Sequence, residues 1–313
     1  MHKFKKSIYI DTMEPIKNFD ELIAHLSSKG EKKRVAVVCA TDASTQYAVG
    51  KALEGGFITA TFVGGRAEIE ANAELMAMKN DFDIVDATDQ DDAAAKAVAL
   101  VREGKADVLM KGLINTDNML RAVLNKETGI LPKGRVLTHI ACAHIPTYNK
   151  LLFFTDAAVI PYPTQEQRIE QVRYVADMAR SFGVAEPRIA LIHSSEKIQE
   201  KHFPFTAGYP EIIEKAKAGE FGKCIVDGPT DLKCACNAEA LKKKGLTSPI
   251  NGEADALIFP DIEAGNAFYK AVTCFCHASM AATLRGPLVP VVLTSRGDSK
   301  ESKLYSLALA VIS

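Results

Sequence analysis

Along this chain, short apolar runs rich in β-branched residues alternate with longer stretches of helical period. Such alternation predicts βαβ units, whose parallel strands are covered by helices and therefore read as continuous apolar runs. The first is Arg34-Val35-Ala36-Val37-Val38-Cys39, followed by a helix over residues 45–53. A second strand at 58–63 closes on Gly64-Gly65; then come a helix to about Met78, a strand at 82–85, a helix at 91–101 and a strand at 108–110. These elements compose one doubly wound unit.

Near residue 135 the pattern changes to two apolar runs, 136–145 and 151–154, joined by the turn-prone Pro146-Thr147-Tyr148-Asn149. That is the pattern of a hairpin, and it opens a second unit. Alternation resumes with helix 164–182, strand 188–193, helix 210–218, strand 224–227, helix 232–243, strand 256–259 and helix 264–277. A last strand at 289–294 leads into a helix at 300–311. With 313 residues the chain exceeds the size at which one core stops growing, so two lobes with a cleft between them are expected.

Charge narrows the partners. Thirty-eight basic and 39 acidic residues are spread along the chain and leave a net charge of −1, so no global field draws it to nucleic acid or to an anionic membrane. The apolar stretches at 268–284 and 304–312 are interrupted by Lys270 and His277, bounded by Gly286, or too short to span a bilayer. Residues 7–10 behind the basic start are too short for a signal-peptide core, so a cytoplasmic protein is expected. Seven scattered cysteines favour reduced thiols, and the one-residue gaps of Cys234/Cys236 and Cys274/Cys276 are tighter than structural zinc sites use. Gly64-Gly65-Arg66 lacks the full dinucleotide fingerprint and reads as a strand-to-helix turn.

Candidate chemistry gathers at three strand ends. Pro290-Val291-Val292-Leu293-Thr294 runs into Ser295-Arg296-Gly297-Asp298-Ser299 just before a helix. Free N–H groups, a helix dipole, two hydroxyls and a guanidinium would suit an anion there. Spacing alone leaves this level with an ordinary helix cap by Asp298 or Ser299. Phe259 to Lys270 repeats the theme, with Asn266 and Lys270 four apart on one helix face and Gly265 permitting close backbone approach. A packing glycine and a solvated lysine would explain the same residues. The third end is Asp107 to Thr116, with Lys111, Gly112 and, on the helix beyond, Arg121. Together they point to a crevice at the carboxyl edges of the sheets. His139 and His144 lie an odd number of residues apart on a predicted strand, hence on opposite faces, which is poor for a shared metal, and they read as structural or lobe-surface residues.

Six strings carry a resemblance: Leu109-Met110-Lys111-Gly112-Leu113, Leu151 through Ala158, Val226-Asp227-Gly228-Pro229, Pro260 through Asn266, Leu293-Thr294-Ser295-Arg296 and Lys303-Leu304-Tyr305-Ser306. In this order the chain resembles the phosphate acetyltransferase and phosphate butyryltransferase family, the butyryl branch most closely. The resemblance implies an α/β fold with two doubly wound lobes of isocitrate dehydrogenase-like architecture and an interlobe active site. The first lobe would take residues 1–135 plus 283–313 and the second 136–282. The implied reaction is acyl-CoA plus phosphate giving acyl phosphate plus CoA, with coenzyme A as substrate and neither metal nor bound cofactor. Assembly as a homodimer or higher oligomer, and an acyl kinase as pathway neighbour, are implied too.

The resemblance also distributes roles. Phosphate attack turns the thioester carbonyl into an oxyanion, so the site needs donors for that oxygen, cations for phosphate and a partner for the departing thiolate. Arg296 and Lys270 are the expected phosphate clamps and Ser295 the donor, with Lys111, Arg121, Asn266, Gly265, Thr294 and Asp156 expected to bind or position phosphate and CoA. Where acetyl-transferring relatives carry an aspartate held to act on the CoA thiol, this chain has Ser302, and a serine is no base at neutral pH. Asp298 and Glu301 are the neighbouring acids that could replace it. The rival readings are a metal-dependent hydroxyacid dehydrogenase of similar fold and a non-catalytic protein that binds CoA or acyl phosphate.

Overall fold

The computed structural model describes residues 13–77, 81–295 and 297–313. The basic start and apolar stretch at 1–10, the expected helix end at Met78 and the candidate Arg296 lie outside the described residues.

Helix α1 (Phe19–Lys29) starts where the Asn18 side chain accepts from the Glu21 N–H and stops on Gly30 in the left-handed region, φ 69°. It is followed by β1 (Lys33–Val38), α2 (Ala43–Glu54), β2 (Ile58–Gly64), α3 (Arg66–Glu70), α4 (Ala73–Ala77), β3 (Phe82–Asp86), α5 (Gln90–Arg102), β4 (Val108–Lys111) and α6 (Thr116–Val123). The predicted hairpin is β5 (Thr138–His144) and β6 (Leu152–Thr155), antiparallel with Cys142 opposite Phe153. Next come α7 (Gln165–Ser181), β7 (Arg188–Ile192), a 3-10 turn (Pro204–Gly208), α8 (Tyr209–Lys217), β8 (Ile225–Thr230), α9 (Leu232–Cys236), α10 (Ala238–Lys243) and β9 (Ala256–Ile258). The chain ends with α11 (Ile262–Phe275), β10 (Ser279–Arg285), β11 (Val291–Val292) and α12 (Lys300–Ile312).

All eleven strands of the described residues join one sheet, in the order β3-β2-β1-β4-β11-β10-β5-β6-β9-β7-β8. This corrects the expectation of separate doubly wound sheets in two isocitrate dehydrogenase-like lobes. The flanks are parallel, and their strands are the buried apolar runs that periodicity found, such as Val35 to Val38 and Val108 to Lys111. Between them β11, β10, β5 and β6 pair antiparallel in succession. Ser279–Arg285, which the sequence pattern did not reveal as a strand, is the seam that fuses the flanks into one sheet.

The antiparallel centre also changes where strand ends fall. Three successive reversals make β6 and β9 run opposite to β4 and β11, so their carboxyl ends leave the sheet at opposite edges. A single crevice at one common carboxyl edge therefore does not form. What forms is a recess over one face of the centre. His139 pairs with Leu284 and Ala141 with Ala282, so these four side chains share a face, and its alanines leave room above it.

Candidate functional site

A cavity of about 130 Å³ lies over that face. Its floor is His139 and Ala282, one wall is α11 with Asn266, Tyr269 and Lys270, and another is the segment Leu293-Thr294-Ser295 with Asp298, Ser302 and Ser306. Ala157 and Ala158, just beyond β6, complete it. At this size it takes a small anion or an acyl head and not a whole nucleotide-bearing ligand.

Helix α11 is placed by backbone contact. A Cβ added to Gly265 would sit 2.1 Å from the Asp156 carbonyl oxygen, so only glycine lets the helix lie on this strand end. Asp261 caps the helix by accepting from the Ala264 N–H at 2.9 Å, and Asn266 Nδ2 donates to the Ala157 carbonyl at 2.9 Å. Lys270 then stands at the rim, its Nζ 5.1 Å from the Tyr269 ring centre. Among the described residues no carboxylate lies within ion-pair distance of Lys270. Burial and the nearby Asp298 push the Tyr269 phenol up to about 12, so it is a neutral hydroxyl.

Of the two readings that spacing had left level before α12, the helix cap is present in the structure. Ser299 is the helix cap, accepting from the Ser302 N–H at 3.0 Å. Asp298 folds the turn back, its Oδ2 accepting from the Ser295 N–H at 2.7 Å, and Ser295 Oγ accepts from the Gly297 N–H at 3.3 Å. The same residues line the cavity beside Lys270. Thr294 Oγ1 is buried there with no hydrogen-bond partner among the described residues.

Asp156 is the hub below the cavity. Its carboxylate accepts from Thr138 Oγ1 at 2.8 Å and from the N–H groups of His139, Ala158, Val159 and Ile160 at 2.8 to 3.3 Å. Five protein donors saturate it, so its role is to hold the loop after β6 against the start of β5. The remaining candidates stand apart from the cavity lining. Lys111 is buried, its Nζ donating to the Gly112 carbonyl at 3.3 Å. Arg121 is exposed, 3.7 Å from Asp91, and lines a different recess with Asn118 and Arg102. Glu301 sits in the first turn of α12, 3.9 Å from Lys300 Nζ.

His139, which the sequence pattern did not connect with the other candidates, also lines the cavity. The ring is buried at the cavity floor, Nδ1 has no hydrogen-bond partner among the described residues, and the ring centre is 6.4 Å from that of Tyr269. Burial lowers its pKa, while Asp156 and Asp298 oppose the shift, so the imidazole is neutral at pH 7. A larger cavity, about 800 Å³, lies elsewhere between residues 15–17, the β5–β6 turn and Cys236; its Lys150 is paired with Asp255 at 2.7 Å. Among the described residues, the cluster with metal-ligand spacing is Glu196, Asp231 and Cys234, and the Lys244 ammonium already bridges its two carboxylates at 2.8 and 2.5 Å. No helix of the described residues is long and apolar enough to cross a membrane.

The family model "Phosphate acetyl/butaryl transferase" matches residues 73–311. A phosphate butyryltransferase of Clostridium acetobutylicum is 40% identical over 298 residues, 95% of this chain and 98% of that protein. A phosphate acetyltransferase of Thermotoga maritima is 34% identical over 91% of this chain and 96% of its own length. Among solved structures, a branched-chain phosphotransacylase from Enterococcus faecalis V583 superposes with a TM-score of 0.77 at 33% identity, covering 90% of this chain and 98% of that one. The EutD phosphotransacetylase from Staphylococcus aureus shares the fold at 19% identity with a TM-score of 0.76, covering 94% and 98%. The fold is thus that of the phosphotransacetylases, and the isocitrate dehydrogenase-like assignment falls with the separate sheets. On the extent of these matches, the chain belongs to the phosphate acetyl/butyryl transferase family and is an enzyme of the phosphate acyltransferase type.

Proposed function

We propose that this phosphate acyltransferase, for which acyl-CoA + phosphate = acyl phosphate + CoA, works on short, butyryl-like acyl groups by direct transfer within a ternary complex at the cavity under α11 and α12. The observation that carries this reading is the convergence of Lys270, Asn266, Thr294, Ser295 and Asp298 on one small recess. Lys270, with Arg296 next to Ser295 in sequence, clamps phosphate. The Ser295 hydroxyl donates toward the carbonyl oxygen as it becomes an oxyanion, and holding both reactants there makes the attack effectively unimolecular. Gly265 and Asp156 position this machinery; Lys111 and Arg121, which are not part of the recess lining, bind the extended CoA. The butyryl preference is supported by the phosphate butyryltransferases among the more similar relatives.

Assembly as a homodimer or higher oligomer, an acyl kinase as the neighbour that uses acyl phosphate, and a cytoplasmic setting in keeping with seven free cysteines belong to the same reading. The dehydrogenase rival gains nothing from the site, because the cluster with metal-ligand spacing shares no residue with the recess. Purified protein given butyryl-CoA should release thiol only when phosphate is added. CoA binding without turnover on acetyl, butyryl and branched acyl-CoA would instead identify a non-catalytic binding protein.

A further inference from the structure

We infer that His139 is a catalytic residue: its imidazole accepts the proton of the CoA thiol when sulfur attacks an acyl phosphate, and returns it to the thiolate in the opposite direction. The inference deepens the acyltransferase reading and rests on it. Three observations meet at this ring. It lines the same recess as Lys270, Ser295, Asp298 and Ser302. Among the described residues its buried Nδ1 has no partner and no hydrogen bond reaches the ring, so no protein group engages the imidazole beside the recess. Its backbone N–H donates to Asp156 Oδ2 at 3.1 Å, which fixes where the ring stands.

The role needs an occupant. Ser302 cannot act as a base, and its Oγ is 3.3 Å from Ser299 Oγ in the helix cap. Asp298 spends one carboxylate oxygen on the Ser295 N–H at 2.7 Å. The charged and titratable groups facing His139 are Asp156 from the end of β6, Asp298 from the turn before α12, and Tyr269 and Lys270 from α11. Burial outweighs the two carboxylates and keeps the imidazole neutral, the form that can take a proton.

The step balances without another reactant. The S–H proton passes to the imidazole as the C–S bond forms; the tetrahedral intermediate collapses by breaking the C–O bond to phosphate; the imidazolium then protonates the departing phosphate oxygen. The reverse sequence returns the proton to CoA.

The test uses the full-length protein and His139→Gln, with His139→Asn as a second variant should the first fail to fold by circular dichroism. Thiol consumption with butyryl phosphate and CoA is followed from about pH 6 to about pH 10, a range that brackets thiol ionisation near 8.5. Near neutral pH the variant should lose on the order of 100-fold in kcat. The deficit should shrink as pH rises, because an already ionised thiol needs no base. A deficit equal at every pH, or a wild-type rate, overturns the inference while leaving the acyltransferase reading intact. Absence of turnover by the wild-type protein sinks both.

Discussion

Lys270 stands at the rim of the recess with the Tyr269 ring as its neighbour, and among the described residues no carboxylate lies within ion-pair distance of it. A hydrogen bond from such a cation to a phosphate oxygen is worth about 1.5–3 kcal/mol. Lys270→Met should therefore lower kcat/KM for phosphate by roughly 10- to 150-fold. Lys270→Arg, which keeps the charge, should recover part of the loss. Steady-state kinetics with phosphate varied at saturating acyl-CoA decides it, and an unchanged kcat/KM removes Lys270 from the phosphate site. Its place on a shared recess with Asn266 was legible because the two share a helix face behind an apolar strand. His139 was not, because Thr138-His139-Ile140-Ala141-Cys142 has the pattern of any buried strand. The recess above it exists only once Ala282, 143 residues further along by number, pairs beside Ala141.

Helix α12 is tied to α2 by a lysine that its apolar surroundings would not otherwise admit. Lys303 is buried, and its Nζ lies 2.7 Å from Asp42 Oδ1 and 3.1 Å from Thr45 Oγ1. Asp42 in turn caps α2 by accepting from the Thr45 N–H at 2.9 Å. Removing one partner of a fully buried pair costs about 3–5 kcal/mol; with Asp42 partly exposed, Lys303→Met should destabilise the fold by about 2–3 kcal/mol. Burial alone would raise the Asp42 pKa, but the bonds from Lys303 and Thr45 outweigh it and lower the value. Its contribution is therefore fully present above the ordinary aspartate pKa of about 3.9 and lost as pH falls through the lower folded value. Denaturant midpoints of wild type and Lys303→Met should differ most near neutrality and converge under acid; a gap constant with pH would contradict this account. At this scale most helices and flanking strands were legible, since strands covered on both faces are continuous apolar runs. β10 was hidden by its composition: Ser279-Met280-Ala281-Ala282-Thr283-Leu284-Arg285 has few β-branched residues and follows a helix of similar hydropathy. Its strand character comes from pairing along its whole length with β5, which is remote in sequence, and at one residue with β11.

One sheet running the length of the molecule makes its centre the last part able to open. Edge strands β3 and β8 each have a single partner and can separate without disturbing the rest. β5 pairs on both sides, with β10 along its whole length and with β6, and it carries Cys142 fully buried between them. Exposing that thiol requires the two parallel flanks to part. Cys274 and Cys276, near the end of α11, are exposed in the native fold. A thiol reagent should therefore modify Cys274 and Cys276 at once without denaturant, whereas Cys142 should react only at or above the denaturant concentration at which the far-ultraviolet ellipticity is half lost. Separate lobes linked by chain alone would behave differently, since each could melt by itself. The central strands would then open with whichever lobe was weaker. Mass-spectrometric mapping of the modified cysteines across a urea series distinguishes the two. Labelling of Cys142 well before the ellipticity transition would show that the antiparallel seam is the weak point of the sheet and not what holds it together.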